Sequence, residues 1–148
     1  MSAGNDHIII SRRVFTATRE AMWEAFRNPK ALARWWGPSG FTNVFHAFEF
    51  RHGGTWDFTM TGPDGNGYRM QKHFVEIDPP ARLVFDHPDA THGFRMFIEL
   101  AERDEGAEMS WRMAFDSAEE AGRVRNIVVA ANEQNFDRLA DYLSEART

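Results

Sequence analysis

The sequence predicts an α+β fold: a curved antiparallel sheet of about seven strands wraps a long C-terminal helix, and two short helices follow the first strand. Three observations lead there. From Phe41 to Phe115, apolar and polar residues alternate in short runs divided by Gly, Pro and Asn, the mark of strands with one buried face. Two short segments with helix-capping residues sit between an opening apolar run and that alternating region. Beyond Ser117 the period becomes helical and holds to Leu143.

The stretch His7 to Ala17 opens with Ile8, Ile9 and Ile10 and continues with Val14 and Phe15, which favours a strand. Thr18 is placed to cap a helix, with Glu20 near its positive end and Ala21, Trp23, Ala25 and Phe26 at mixed helical spacing. Asn28-Pro29 ends that helix and starts a second one, with Asn28 as N-cap and Pro29 at the first position. It reaches Trp35-Trp36 and stops at Gly37-Pro38. Period two follows. Val44, His46, Phe48 and Phe50 share one face of a strand that Gly53-Gly54 breaks or bulges, and Trp56, Phe58 and Met60 share one face of the next.

Gly62 to Gly67, with Asn66 inside it, supplies the positive φ angles of a hairpin connector. Tyr68, Met70, Lys72 and Phe74 then alternate as far as Asp78-Pro79-Pro80, where prolines without N–H groups interrupt the ladder. Leu83 to Phe85 form a short strand. Phe94, Met96, Ile98 and Leu100, then Met109, Trp111, Met113 and Phe115, form two more around a polar turn at Asp104-Glu105-Gly106. Ser117 with Glu120 fits a capping box, and Ala121, Val124, Val128, Ala131, Leu139 and Leu143 give the final helix one apolar stripe. At 1.5 Å per residue that helix is ~40 Å long. Only the concave face of a sheet offers so broad an apolar partner.

Composition narrows the function classes. The 148 residues carry 17 Lys plus Arg against 22 Asp plus Glu, a formal net charge of −5, so nucleic acid is not an expected partner. No linker, repeat or shift in composition divides the chain, and residues 1–148 are read as one domain. Thirteen Phe, five Trp and two Tyr require an interior filled or lined by bulky rings. The absence of Cys removes disulfides, thiolate nucleophiles and Cys-based metal sites. No run is apolar and long enough for membrane insertion, and Met1 to Asp6 lacks a signal pattern, so a soluble cytoplasmic protein is expected.

Several stretches resemble the START-like (SRPBCC, helix-grip) superfamily, within the heat-shock-protein ATPase activator homologues. They are Trp35-Trp36-Gly37-Pro38, Phe50 to Trp56, Gly62-Pro63-Asp64-Gly65, Glu76 to Leu83, and Phe136-Asp137-Arg138-Leu139, which span nearly the whole chain in the right order. The resemblance implies a helix-grip fold with a deep cavity between sheet and final helix that takes small apolar or amphipathic molecules in related proteins. Members act as lipid carriers, polyketide cyclases, resistance proteins or chaperone regulators, and fold analogy alone does not choose among them. Many similar proteins carry Gly-Trp in the final helix where this chain has Ala131-Asn132.

Alternation places Phe48, Trp56, Phe58, Met60, Tyr68 and Met70 on the face toward that cavity, with Phe74, Phe85, Met96, Trp111 and Met113 on the later strands. Val128 on the helix and Trp35 and Trp36 at the mouth complete the expected lining, one of the two indoles as a gate. By parity His46, Lys72 and Glu76 share this apolar face, where a polar group costs free energy unless it is hydrogen-bonded or wet. His46, Lys72 and Asn132 are therefore candidates to orient a ligand, with Glu76 paired to Lys72. In a dry cavity the Lys72 ammonium is disfavoured, which suits binding a ligand oxygen or acting as a base. A solid core remains the alternative for each aromatic residue.

The opposite face carries Glu49, Arg51, Asp57, Arg69, Gln71, His73, Arg95, Glu99 and Arg112, free to pair across strands in solvent. Three other readings stay open: a cyclase- or hydrolase-like enzyme using His46 and Lys72 as acid and base, a chaperone-interacting regulator without a supporting local motif, and a homodimer through a strand edge or the Trp-bearing helices. A dyad of His46 with Asp57 requires a register shift, because parity puts them on opposite faces. The turn from His87 to His92 reads as solvated, since its two His and one Asp match no zinc spacing, and no cofactor is implied.

Overall fold

A computed structural model of the chain describes residues 6–89 and 93–146. The elements follow in the expected order. Strand β1 (Ile8–Phe15) precedes helices α1 (Arg19–Arg27) and α2 (Pro29–Trp35). Strands β2 (Thr42–Phe48), β3 (Thr55–Thr61), β4 (Gly67–Asp78), β5 (Arg82–His87), β6 (Phe94–Arg103) and β7 (Gly106–Phe115) come next, and helix α3 (Ala118–Ala146) closes the chain.

Side-chain caps fix the helix starts. Thr18 Oγ1 accepts the Ala21 N–H at 3.0 Å, Asn28 Oδ1 accepts the Lys30 N–H at 3.0 Å, and Ser117 Oγ accepts the Glu120 N–H at 3.1 Å. Each satisfies a donor that has no partner within its own helix. The Glu120 carboxylate pairs with Arg123.

The seven strands form one antiparallel sheet in the order β1-β7-β6-β5-β4-β3-β2. Helix α3 lies along β1 and touches β7, while α2 reaches both β2 and α3. Two α3 side chains fasten α2. Asn135 accepts the Gly37 N–H at 3.0 Å and donates to the Trp35 carbonyl at 2.8 Å. Arg138 donates to the carbonyls of Arg34, Trp36, Gly37 and Pro38 at 2.8–3.0 Å. Arg138 thereby satisfies carbonyls at and just beyond the end of α2, the Trp36 carbonyl also accepting from Asn43 Nδ2 and the Pro38 carbonyl from the Phe41 N–H.

The β6–β7 hairpin turns on Gly106, whose φ is 151°, and a Cβ added there would lie 2.1 Å from the Phe15 carbonyl oxygen. Backbone atoms cannot move aside as a flexible side chain can. Gly106→Ala is expected to cost more than about 1 kcal/mol, measured by urea denaturation.

Two bulges alter the expected faces. Gly53-Gly54 breaks the run, in the connection between β2 and β3, and the bulge lies elsewhere: the β2–β3 register shifts between Phe45 and Ala47. Phe45 and Phe48 therefore both pack on the core, while Val44 is 61% exposed and His46 is exposed. The β4–β5 register shifts between Phe74 and Glu76, so Ile77 packs inward and Glu76 turns away from Lys72 to Arg82 Nε at 3.2 Å. Trp35 and Trp36 are both buried, so neither indole is exposed at a mouth or on the outer surface of α2. On the convex face Arg69 pairs with Asp57 across strands as expected, and Arg95 pairs with Asp86, which the sequence reading did not place there.

Candidate functional site

The concave face is built differently at its centre and at one end. At the centre Trp36, delivered by the C-terminus of α2, fills the hollow that the sequence assigns to a ligand. Its ring centroid lies 5.1 Å from Trp56, 5.2 Å from Trp111 and 6.1 Å from Phe85. Phe136 from α3 packs edge-on against Trp111 at 4.8 Å. Trp56, Phe58, Phe74, Phe85, Met96, Trp111 and Met113 are accordingly core residues here, all buried. Asn132 Nδ2 is occupied by Ser11 Oγ at 3.2 Å and Met113 Sδ at 3.5 Å, so it joins helix to sheet rather than facing a ligand.

The end of the sheet beneath the first half of α3 is less covered. No residue of α3 between Ala121 and Asn132 is buried, and Ile127 is 74% exposed. Phe45, Phe48, Met70, Phe94, Val124 and Val128 pack against the core yet stay half-buried. Half-buried apolar side chains of this kind are what an apolar guest would cover.

Lys72 stands in this region, opposite Trp56 on β3. Its Nζ donates to His87 Nδ1 at 3.1 Å and lies 5.0 Å from the centre of the Phe85 ring, 5.3 Å from Phe94 and 6.0 Å from Trp56. The side chain is 5% exposed, and burial alone lowers its pKa from 10.5 to about 7. The aromatic faces attract a cation without supplying a full negative charge, so the ammonium is weakly compensated. Sequence reasoning found Lys72 but gave it the wrong partner. Leu83, Phe85 and His87 alternate on β5, and that alternation was the available signal for His87.

The half-buried His87 ring also borders solvent. A hollow of about 560 Å³ lies between the β3–β4 hairpin and the end of β5, lined by Tyr68, Met70, His87, Pro88 and Asp89 among others. Tyr68, expected inside the cavity, is 46% exposed and lines this outer hollow. Ala90, Thr91 and His92 of the turn examined for metal ligands lie outside the described residues. Among the described residues, no cluster of three His, Asp or Glu forms a metal site.

His46 does not join Lys72. It lies on the convex face, Nε2 to Thr59 Oγ1 at 2.8 Å, which removes the acid–base pair considered for an enzyme. The bulge instead puts it on the face of Asp57. There the Arg69 guanidinium holds the Asp57 carboxyl at about 2, with a small contribution from His46. Inside the core, the indole N–H groups of Trp56 and Trp111 are buried without a hydrogen-bond partner. Such orphaned donors are uncommon and cost about 1–3 kcal/mol each.

The profile of the family described as Activator of Hsp90 ATPase homolog 1-like protein matches residues 16–144. The chain belongs to this family. Its fold is the helix-grip fold of that family's solved relatives. A protein from Nitrosomonas europaea superposes with a TM-score of 0.87 at 15% identity, covering 95% of this chain and 96% of that one. One from Arthrobacter aurescens gives 0.87 at 24% identity, covering 95% and 88%. A homolog 1-like protein of this family from Aeromonas hydrophila gives 0.74 at 22% identity, covering 94% and 93%. At these identities the likeness establishes the fold alone. No protein of curated function matches the sequence. Among the described residues, no helix is long and apolar enough to cross a membrane.

Proposed function

We propose that this family member binds a small apolar or amphipathic molecule at the uncovered end of its concave face, as a cytoplasmic carrier, sensor or sequestering protein. One observation carries the reading. A buried amine, Lys72, sits among aromatic rings without a carboxylate bonded to it, beside apolar side chains that face inward but remain half-buried. A ligand with an apolar body and an oxygen at one end would cover those side chains and accept a hydrogen bond from Lys72.

The test is thermal-shift screening with lipids, polyketides and aromatic metabolites. A ligand at a hundredfold its Kd stabilises the fold by about 2.7 kcal/mol, a readily measured rise in Tm. For a hit that carries a carboxylate or carbonyl, Lys72→Met is expected to weaken binding by about tenfold to a hundredfold, the worth of a hydrogen bond to a charged group. Silence across the library, or equal affinity in Lys72→Met, overturns the reading.

A further inference from the structure

The receptor reading leaves unexplained why the polar group at this end of the sheet is an amine, and the inference that follows rests on that reading. We propose that Lys72 is a nucleophile that condenses with an apolar aldehyde or ketone to form an imine, with His87 moving the proton. The geometry supplies three requirements of that chemistry. An amine attacks a carbonyl only when unprotonated, and a lysine held by a carboxylate stays an ammonium. Lys72 has aromatic rings and one imidazole around it, and burial brings it down to about 7, so much of it is free amine near neutral pH.

The second requirement is a proton acceptor at the nitrogen. His87 Nδ1 lies 3.1 Å from Nζ. The third is a path for the carbonyl: the hollow lined by His87 and Met70 reaches the imidazole, which hydrogen-bonds the buried Nζ. Among the described residues, His87 is the titratable group facing Lys72 on the concave side. Asp89 lines both hollows that His87 borders, and Asp86 and Asp116 line the second of them.

The step balances without a further reactant. The Nζ lone pair forms a bond to the carbonyl carbon while the C=O π electrons move to oxygen. His87 takes a proton from the new ammonium and returns it to that oxygen, which gives the carbinolamine. His87 takes up a proton from water and passes it to the hydroxyl, the nitrogen lone pair expels water, and the iminium loses its proton to His87, which returns it to solvent. One carbonyl and one amine become one imine and one water.

The chain supplies its own control, because Lys72 and Lys30 are the two lysines in the sequence and Lys30 is exposed. The full-length protein is incubated with hydrocinnamaldehyde and cyanoborohydride, which reduces an imine to a stable secondary amine. Labelling at each lysine is followed by peptide mass spectrometry. At pH 7, Lys72 is expected to be alkylated at least about tenfold faster than Lys30. The Lys72 rate should rise with pH around a midpoint near 7, and the preference should vanish in urea. His87→Gln should slow labelling at Lys72 about tenfold or more and leave Lys30 unchanged.

Hydrocinnamyl alcohol, which fits like the aldehyde but cannot condense, separates the two failures. If the alcohol raises Tm while Lys72 reacts no faster than Lys30, the imine proposal falls and the receptor reading stands. If neither aldehyde nor alcohol shifts Tm and Lys72 is not labelled, this inference falls, and the wider library then decides the receptor reading. A labelling rate unchanged in His87→Gln overturns the proton-transfer role.

Discussion

Trp36→Ala is expected to lower the free energy of unfolding by about 3–5 kcal/mol, the range for removing a buried large aromatic side chain. The indole is 7% exposed and packs against the rings of Trp35, Trp56, Phe85 and Trp111 together. Aromatic pairs at such separations are worth about 0.5–1.5 kcal/mol beyond the area they bury. The loss is therefore expected at the upper end. Its neighbours cannot close the gap easily, because Trp56 and Trp111 come from strands fixed on both sides by the ladder. The cavity left behind is apolar and aromatic-walled, so free indole should restore part of the lost stability, as apolar cavities of this kind take small aromatic guests. Urea denaturation with and without indole checks both points. A loss below about 1 kcal/mol, the level of an ordinary surface change, would mean that the centre of the concave face is not packed around Trp36. Such a result would return the central cavity to consideration as the ligand site.

The element order was legible because each boundary had local chemistry behind it. Thr18, Asn28 and Ser117 cap the helices that follow them, and the Gly62–Gly67 and Asp104–Gly106 turns separate the strands they were expected to separate. The site was less legible because it depends on parity, and parity survives only until the first bulge. Lys72 precedes the β4 bulge and points where alternation put it. Glu76 follows that bulge and points away, so the expected Lys72–Glu76 pair became an Arg82–Glu76 pair. His46 sits within the β2 bulge and moved to the solvent face for the same reason. The two indoles at the end of α2, one of them expected as a gate, pose a different problem. Nothing in the local pattern tells whether a ring at a helix end gates a hollow or fills it; that is decided by Asn135 and Arg138, about a hundred residues along the chain, which pull the end of α2 inward.

Lys72→Met is expected to stabilise the protein at neutral and mildly acidic pH and to flatten its stability profile above pH 7. The folded-state pKa, about 7, lies below the ordinary 10.5. Between those values the unfolded chain binds more protons at this position than the folded one, so the stability of the native sequence must rise with pH across that window. Below about 7 both states carry the proton, and the whole penalty of burying the ammonium is felt. A shift of this size corresponds to roughly 4–5 kcal/mol at about 1.36 kcal/mol per pKa unit, reduced in practice by local opening and water entry. Methionine is similar in length and apolar, so it should keep the packing against Trp56, Phe85 and Phe94 and carry no proton. The difference between the two proteins should then be several kcal/mol at pH 6, shrink through pH 8 and 9, and nearly vanish by pH 10.5. Taking that difference cancels every group the two chains share, and urea denaturation across the range measures it. Parallel profiles would show that Lys72 is no more costly folded than unfolded. The expected convergence would mean that the fold tolerates a destabilising amine where an apolar residue would serve stability better, the pattern of a position kept for chemistry rather than for packing.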